Sequence, residues 1–287
     1  MPSLLAPSRP ASSAPPRAYP HVVSLQLPRF GHLCTGSIVS DRHVLTLARC
    51  FDDGPFARGT FSKLTEWLVV AGVTHVNAST ADRQTYGVTR VTVPRQYAEY
   101  EGLIGDIALV QTNAPFRFTD AVQPICLPLT GQTFYDNGEC FLAGFENLST
   151  RERTSTARAK SKLRLRQVRE MFVPYSRCYV KFTDVMGDFD YINAPTNTIS
   201  HHLSAGYYID PVIHLCYGEG AQSTCAVDTR GDPVSCKVDN RYVLAGVATF
   251  GHDFCAYTEN LPSVFNSVAY YARWIRNVIN RMAIRGY

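Results

Sequence analysis

The sequence is poor in charge, in methionine and in long apolar runs. Charged residues make up 18% of its 287 residues, and four methionines stand against nine cysteines, which favours an extracellular protein with disulfides. A net charge of +4 is too small to indicate a nucleic-acid binder. No apolar run approaches the roughly 20 residues that span a bilayer, so we expect no transmembrane helix.

The first seventeen residues also lack an apolar core. They are rich in Pro, Ser and Ala, and their apolar pair is Leu4 and Leu5, whereas a signal peptide needs about 7 to 15 apolar residues. We therefore expect a disordered segment over residues 1–17. Secretion is inferred from the cysteines, because no signal peptide is recognisable.

Beyond this segment, short runs rich in Val, Ile, Leu, Thr and Tyr alternate with Gly, Pro, Asn and Asp, a pattern typical of strands and turns. A helical period appears over 266–282, where Val268, Tyr271 and Ile275 share one face and Ser267 is a candidate N-cap. Many short strands without intervening helices predict an all-β barrel or sandwich closed by one C-terminal helix.

Several sequence blocks, in order, resemble those of the trypsin-like serine proteases. The segment CTGSIVSDRHVLTLARC over 34–50 is similar to the family patterns C-G-G-S-L-I-S and T-A-A-H-C. GDIALVQ over 105–111 resembles N-D-I-A-L-L, and STCAVDTRGDPVSC over 223–236 resembles D-S-C-Q-G-D-S-G-G-P-x-x-C. CFLAGF over 140–145 and GVATFGHDFC over 246–255 match two further family blocks.

The resemblance implies one peptidase domain over 18–287, built as two antiparallel six-stranded β-barrels with a C-terminal α-helix and a site in the cleft between the barrels. The first barrel is expected over about 18–125, the second over about 126–265, and the helix over about 267–282. Four disulfides carry over by position from the family: Cys34–Cys50, Cys140–Cys236, Cys178–Cys216 and Cys225–Cys255.

Cys126 has no partner in that pattern. In family members built from two linked chains, the matching cysteine ties the catalytic domain to an upstream cysteine, and here no cysteine precedes Cys34. Two interpretations stay open. Cys126 forms a disulfide with another chain or an N-terminal module, or it is a buried free thiol.

The resemblance assigns the catalytic positions to residues that do not fit the chemistry. Peptide hydrolysis in the family uses a hydroxyl nucleophile, an imidazole base, a carboxylate that orients the base, and backbone N–H groups that stabilise the oxyanion. Asp106 stands at the carboxylate position, but Arg49 stands at the histidine position and Thr229 at the serine position. A guanidinium stays protonated and cannot act as a general base. We predict that Arg49 pairs with Asp106 in the space of the imidazole.

The oxyanion loop and the activation site depart from the family as well. Val227 and Arg230 stand where the family has glycines, and Asp232 makes the loop one residue longer. A β-branched valine resists the backbone angles that glycine allows. Family zymogens are cut before an I-V-G-G sequence whose new terminus pairs with the aspartate that matches Asp228. No such sequence lies upstream of Tyr19.

A specificity pocket also carries over by position. Its floor is Ser223, so a basic anchor side chain would find no aspartate there. Two interpretations stay open: a pocket for a small or apolar side chain, or a vestigial cleft. The rim positions are Thr249, Phe250, Gly251 and Ser263.

A basic stretch lies outside these motifs. Over 151–169 there are eight basic residues and one acid, a charge of +7. An extended strand would place alternate residues on one face, which suits a sulfated glycan, an anionic surface or an acidic partner. The alternative is a flexible surface loop. The five alternating residues are Arg158, Lys160, Lys162, Arg164 and Arg166.

Asn77 in Asn-Ala-Ser and Asn147 in Asn-Leu-Ser are candidate N-glycosylation sites. We expect no metal site and no cofactor, because His201 and His202 are adjacent and would point apart in an extended chain.

The leading hypothesis is a catalytically inactive homolog of the trypsin-like proteases. It would bind a protease, an inhibitor or a receptor, as a cofactor, decoy or regulator in an extracellular protease pathway. The alternatives are a serine-type endopeptidase with an unusual nucleophile and a module that binds anionic glycans or surfaces.

Overall fold

The computed structural model describes residues 12–52, 64–99, 104–135, 139–146, 163–182, 209–218, 230–250 and 262–284. Within these residues fourteen strands form two sheets. The all-β architecture that the sequence predicts is confirmed. The largest apolar core fills the first barrel and extends to Leu244 and Val247 of the second sheet, and a second core lies within that sheet.

Six strands close into the first barrel, in the order β2-β3-β4-β7-β6-β5. They are β2 (Val22–Leu27), β3 (Gly31–Ile38), β4 (His43–Thr46), β5 (Leu68–Ala71), β6 (Gln84–Thr92) and β7 (Ala108–Thr112). Strand β2 pairs with both β3 and β5, so the barrel has no edge strand. Val23, Leu25, Ile38 and Leu45 are fully buried inside it.

The second sheet has eight described strands, in the order β1-β9-β8-β12-β13-β14-β11-β10. They are β1 (Ser12–Ser13), β8 (Cys140–Glu146), β9 (Arg164–Glu170), β10 (Phe172–Val173), β11 (His214–Tyr217), β12 (Pro233–Val238), β13 (Arg241–Phe250) and β14 (Ser263–Ser267). Where a second six-stranded barrel was expected, the described residues form a half-barrel sheet of eight strands, which includes β1 from the N-terminal segment.

The C-terminal helix runs from Val268 to Ile284, two residues beyond the expected end. The hydroxyl of Ser267 accepts a hydrogen bond from the backbone N–H of Tyr270 at 3.3 Å, which confirms the predicted N-cap. Val268, Ala272 and Ile275 are fully buried, as the apolar face predicts. Short helices cover Arg49–Asp52, Arg95–Glu99 and residues 175–182. No helix in the described part of the chain is long and apolar enough to cross a membrane.

The N-terminal segment corrects one expectation. Residues 12–17, which we expected to be disordered, are structured. Ser12 and Ser13 pair with Gln167 and Arg166 of β9, and the N–H of Ala14 donates to the carbonyl of Leu165 at 3.0 Å. The segment is held because Ala14 is 8% exposed and packs into a small apolar core.

Three of the four expected disulfides are present: Cys34–Cys50, Cys140–Cys236 and Cys178–Cys216. The fourth, Cys225–Cys255, lies outside the described residues. The first closes 16 residues at the start of the helix that carries Arg49, and the second links β8 to β12 within the second sheet. Each such bridge typically stabilises a fold by about 2 to 4 kcal/mol.

Candidate functional site

Arg49 and Asp106 form an ion pair at the junction of the two sheets. Asp106 accepts two hydrogen bonds from Arg49, one from the backbone N–H to Oδ1 at 2.9 Å and one from Nε to Oδ2 at 2.5 Å. Arg49 begins the short helix after β4, and Asp106 lies two residues before β7. The pairing predicted from the sequence is therefore confirmed.

Two residues of the second sheet complete the environment of Asp106. The hydroxyl of Thr249 on β13 donates to Asp106 Oδ2 at 2.8 Å, and Arg49 Nη2 donates to that hydroxyl at 3.2 Å. The side-chain amide of Asn266 on β14 donates to the backbone carbonyl of Asp106 at 2.7 Å. The carboxylate thus accepts three hydrogen bonds, two from Arg49 and one from Thr249, and residues of both sheets fix its position.

The two charges of this pair differ in exposure. The side chain of Asp106 is 3% exposed, whereas that of Arg49 is 27% exposed. A buried carboxylate requires a counter-charge or several donors, because an unpaired charge in the interior is costly. Arg49 supplies both, and part of its guanidinium remains in contact with solvent.

Of the expected rim residues, Thr249 and Ser263 are described with their side chains, and both are buried. The hydroxyl of Thr249 is engaged with Asp106 and Arg49, so Thr249 belongs to the carboxylate network. Phe250 ends β13. The pocket positions Ser223 and Gly251 lie outside the described residues, and so do the loop positions Val227, Asp228 and Thr229.

The end of the altered oxyanion loop is described from Arg230 onward. The carbonyl of Arg230 accepts a hydrogen bond from the N–H of Thr35 at 2.9 Å, which joins this turn to the first barrel. Gly231 has a φ of 81°, and a Cβ there would lie 2.3 Å from the carbonyl oxygen of Thr35, so glycine is required. The additional residue, Asp232, is fully buried, and its carboxylate occupies the space over Gly144.

Cys126 carries an exposed free thiol. The interpretation as a buried thiol is therefore wrong. Its backbone carbonyl accepts a hydrogen bond from the N–H of Leu244 at 2.9 Å, which fixes the residue against β13. A groove of about 520 Å³ adjoins the thiol and is lined in part by Tyr19, Phe141 and Tyr242.

The structure corrects the expected basic face. Arg164 is exposed, but Arg166 is only 7% exposed, and its Nη1 donates to the hydroxyl of Ser13 at 2.7 Å. Burial does not alternate along β9, because β1 pairs with the strand at Arg166 and covers it. Arg158, Lys160 and Lys162 lie outside the described residues.

Four histidines of the described residues are buried, His21, His32, His43 and His214, and burial shifts the pKa of three of them. Burial lowers the pKa of His21 to about 3 and that of His214 to about 4, and it also lowers the pKa of His43. The backbone N–H of Asp210 donates to Nδ1 of His214 at 3.0 Å, which fits a neutral ring. Among the residues the structure describes, no group of three or more His, Cys, Asp or Glu side chains is placed to hold a metal ion.

Sequence reasoning missed Thr249 and Asn266 as partners of Asp106. They lie 143 and 160 residues from it along the chain, and neither stands in a motif that indicates contact with a carboxylate. It also missed the contact of Ser13 with Arg166, which are 153 residues apart.

A closed six-stranded barrel, a second antiparallel sheet, a C-terminal helix and a buried aspartate between the sheets define a protein of the chymotrypsin fold class. A family model for trypsin matches residues 10–275, and the chain therefore belongs to the trypsin family. The match begins before Tyr19 and includes β1, consistent with the structured N-terminal segment.

Proposed function

We propose that this member of the trypsin family does not hydrolyse peptide bonds and acts outside the cell by binding a protein partner. The observation that carries the proposal is the hydrogen bonding of Asp106 by both the N–H and the Nε of Arg49. In an active site of this class the carboxylate orients an imidazole that removes the proton of the nucleophile. Here the carboxylate orients a guanidinium, which has no lone pair available for that proton.

The nucleophile position supports the same conclusion from the sequence. Thr229 carries a methyl group beside its hydroxyl, and Arg49 stands at the position of the histidine that would remove the proton of that hydroxyl. Arg230 and the inserted Asp232 change the loop that would supply the oxyanion donors. We therefore expect the chain to lack the two largest contributions to catalysis in this class, a base for the nucleophile and a set of backbone donors for the oxyanion.

An active-site probe tests the proposal. We expect no labelling by a fluorophosphonate and no cleavage of peptide substrates, with active trypsin in parallel as the positive control. The double variant Arg49→His with Thr229→Ser tests whether these two positions alone account for the absence of peptidase activity. Specific labelling of the native chain at Thr229, or cleavage that a fluorophosphonate blocks, would contradict the proposal.

Cys126 is the proposed point of covalent linkage to the partner. Its thiol is exposed, and the adjoining groove offers the aromatic rings of Tyr19, Phe141 and Tyr242, a type of residue enriched at protein interfaces. The three disulfides among the described residues are consistent with an oxidising compartment, in which such a linkage persists.

Non-reducing electrophoresis of the secreted protein with candidate proteases, inhibitors and receptors tests this linkage. We expect an adduct that is lost on reduction and is absent for Cys126→Ser. An adduct that forms equally well with Cys126→Ser would contradict the assignment of the thiol, and the binding proposal would then depend on non-covalent contacts.

A further inference from the structure

The turn that follows β5 carries a sequon, Asn77-Ala78-Ser79, which the binding role does not involve. Both Asn77 and Ser79 are exposed, whereas Val76, immediately before them, is 1% exposed and points into a small apolar core. We propose that Asn77 carries an N-linked glycan when the chain passes through the secretory route. This inference goes beyond the binding role and does not depend on it.

The backbone of this turn is held independently of the Asn77 side chain. Nη1 of Arg83 donates to the carbonyls of Val76 and Ala78, each at 3.1 Å, and the side-chain amide of Gln26 donates to the carbonyl of Val76 at 3.2 Å. The N–H of Asn77 donates to Nδ1 of His75 at 3.3 Å. The turn therefore keeps its shape whatever is attached to the side-chain nitrogen of Asn77.

The side-chain amide of Asn77 makes no hydrogen bond to any of the described residues. A glycan on its Nδ2 therefore breaks no contact of the described fold and leaves no polar group unpaired. The hydroxyl of Ser79, which the sequon requires two residues after the asparagine, is in the same exposed turn. Surface turns of secreted proteins are where such glycans are accommodated.

The chemistry is a group transfer from a lipid-diphosphate-linked oligosaccharide. A bond forms between Nδ2 of Asn77 and the anomeric carbon of the first sugar, and the bond from that carbon to the diphosphate oxygen breaks. The lipid diphosphate leaves, and the amide nitrogen gives up one proton. No oxidant or reductant takes part in this step.

The turn that carries Asn77 lies beside the start of β9, so a glycan there would lie near the basic stretch. The backbone of His75 forms an isolated antiparallel β-bridge with that of Arg164, and the N–H of Val76 donates to the carbonyl of Leu163 at 3.2 Å. The turn therefore lies against the start of β9. A glycan on Asn77 would therefore extend beside the exposed Arg164, where the basic stretch over 151–169 enters the sheet.

The test is expression of the full chain behind a cleavable secretion leader in eukaryotic cells, followed by intact mass analysis and peptide mapping before and after treatment with an N-glycosidase. We expect the peptide that contains Asn77 to carry a glycan, and the enzyme to remove that mass and leave aspartate at this position. Asn77→Gln and Ser79→Ala should each remove the same glycan, whereas Ser79→Thr should retain it.

Asn147→Gln is the matched control, because it removes the other sequon and leaves this turn unchanged. Retention of the Asn77 glycan in that variant supports the assignment. Secreted protein whose Asn77 peptide is unmodified would overturn it, and so would a total glycan mass that Asn77→Gln leaves unchanged and Asn147→Gln removes entirely. Neither result depends on catalytic activity or on a partner, so this proposal and the binding proposal fail separately.

Discussion

Nη1 of Arg166 donates a 2.7 Å hydrogen bond to the hydroxyl of Ser13, and this contact joins the N-terminal strand to β9. Arg166 is only 7% exposed because β1 covers it, and the hydroxyl oxygen of Ser13 is a neutral partner for its buried positive charge. Tyr19 reinforces the contact, because its hydroxyl donates to the side-chain oxygen of Gln167 at 2.8 Å. Residues 12–18 are thus part of the fold and not a linker to it.

Substitution at Ser13 should therefore destabilise the protein more than substitution at Ser12. Ser13→Ala removes a hydrogen bond to a buried charged group, which should lower the free energy of unfolding by about 1 to 3 kcal/mol. Ser12→Ala is the matched control, because the hydroxyl of Ser12 accepts only a long, exposed hydrogen bond of 3.4 Å from Gln167. Urea denaturation of both variants measures the difference. Equal midpoints would show that the strand contributes nothing through Arg166.

The sequence predicted those parts of the fold that depend on the spacing of residues close together in the chain. The C-terminal helix follows from the spacing of Val268, Tyr271 and Ile275, and the all-β class follows from short apolar runs between turn residues. Strand β1 was missed because two serines have no strong strand propensity, and they pair with residues more than 150 positions away. Its absence from the prediction made Arg166 look exposed.

In the candidate site, the pairing of Arg49 with Asp106 was predictable from the family resemblance. It assigned the two residues to the histidine and aspartate positions, whose side chains contact each other in the family. The contacts of Asp106 with Thr249 and Asn266 were not predicted, since the resemblance assigned Thr249 to the rim of the pocket and Asn266 lies in no quoted family block. Contacts that depend on how two sheets pack leave no periodic signal in one sequence.

Because Asp106 is more deeply buried than Arg49, we expect substitution of Arg49 to lower the free energy of unfolding more than substitution of Asp106. Arg49→Ala leaves a buried carboxylate with two neutral donors and should lower the free energy of unfolding by about 3 kcal/mol. Asp106→Asn leaves the arginine, which is 27% exposed and can be hydrated, so its cost should be smaller, about 1 kcal/mol. Chemical denaturation of both variants at one pH tests the order. A larger loss for Asp106→Asn would contradict it.

The two arginines of β9 should differ in their effect on binding to a sulfated polymer. Arg164→Ala removes an exposed charge and should lower the salt concentration at which the protein elutes from heparin. Arg166→Ala removes a buried charge and should leave that elution nearly unchanged, while it lowers the thermal midpoint. Heparin chromatography and thermal unfolding of both variants give the two measurements. Equal elution shifts would show that Arg166 reaches solvent.

Because His21 and His214 are buried, we expect the free energy of unfolding to fall in mild acid. Burial lowers the pKa of His21 from 6.5 to about 3 and that of His214 from 6.5 to about 4. Below pH 6.5 the unfolded chain therefore binds protons that the folded chain does not, and protonation favours unfolding. The stability that each neutral ring contributes is complete above the unfolded pKa and is lost as the pH falls towards the folded pKa.

Each of these two histidines should reduce the free energy of unfolding by about 1.4 kcal/mol per pH unit below 6.5, until the folded pKa is reached. Denaturant unfolding at pH 7 and pH 5 measures this slope. His21→Gln cannot titrate, so its stability should change less between the two pH values than that of the native chain, even if the variant is less stable at both. A native-chain slope that His21→Gln and His214→Gln both leave unaltered would show that other groups carry the acid sensitivity.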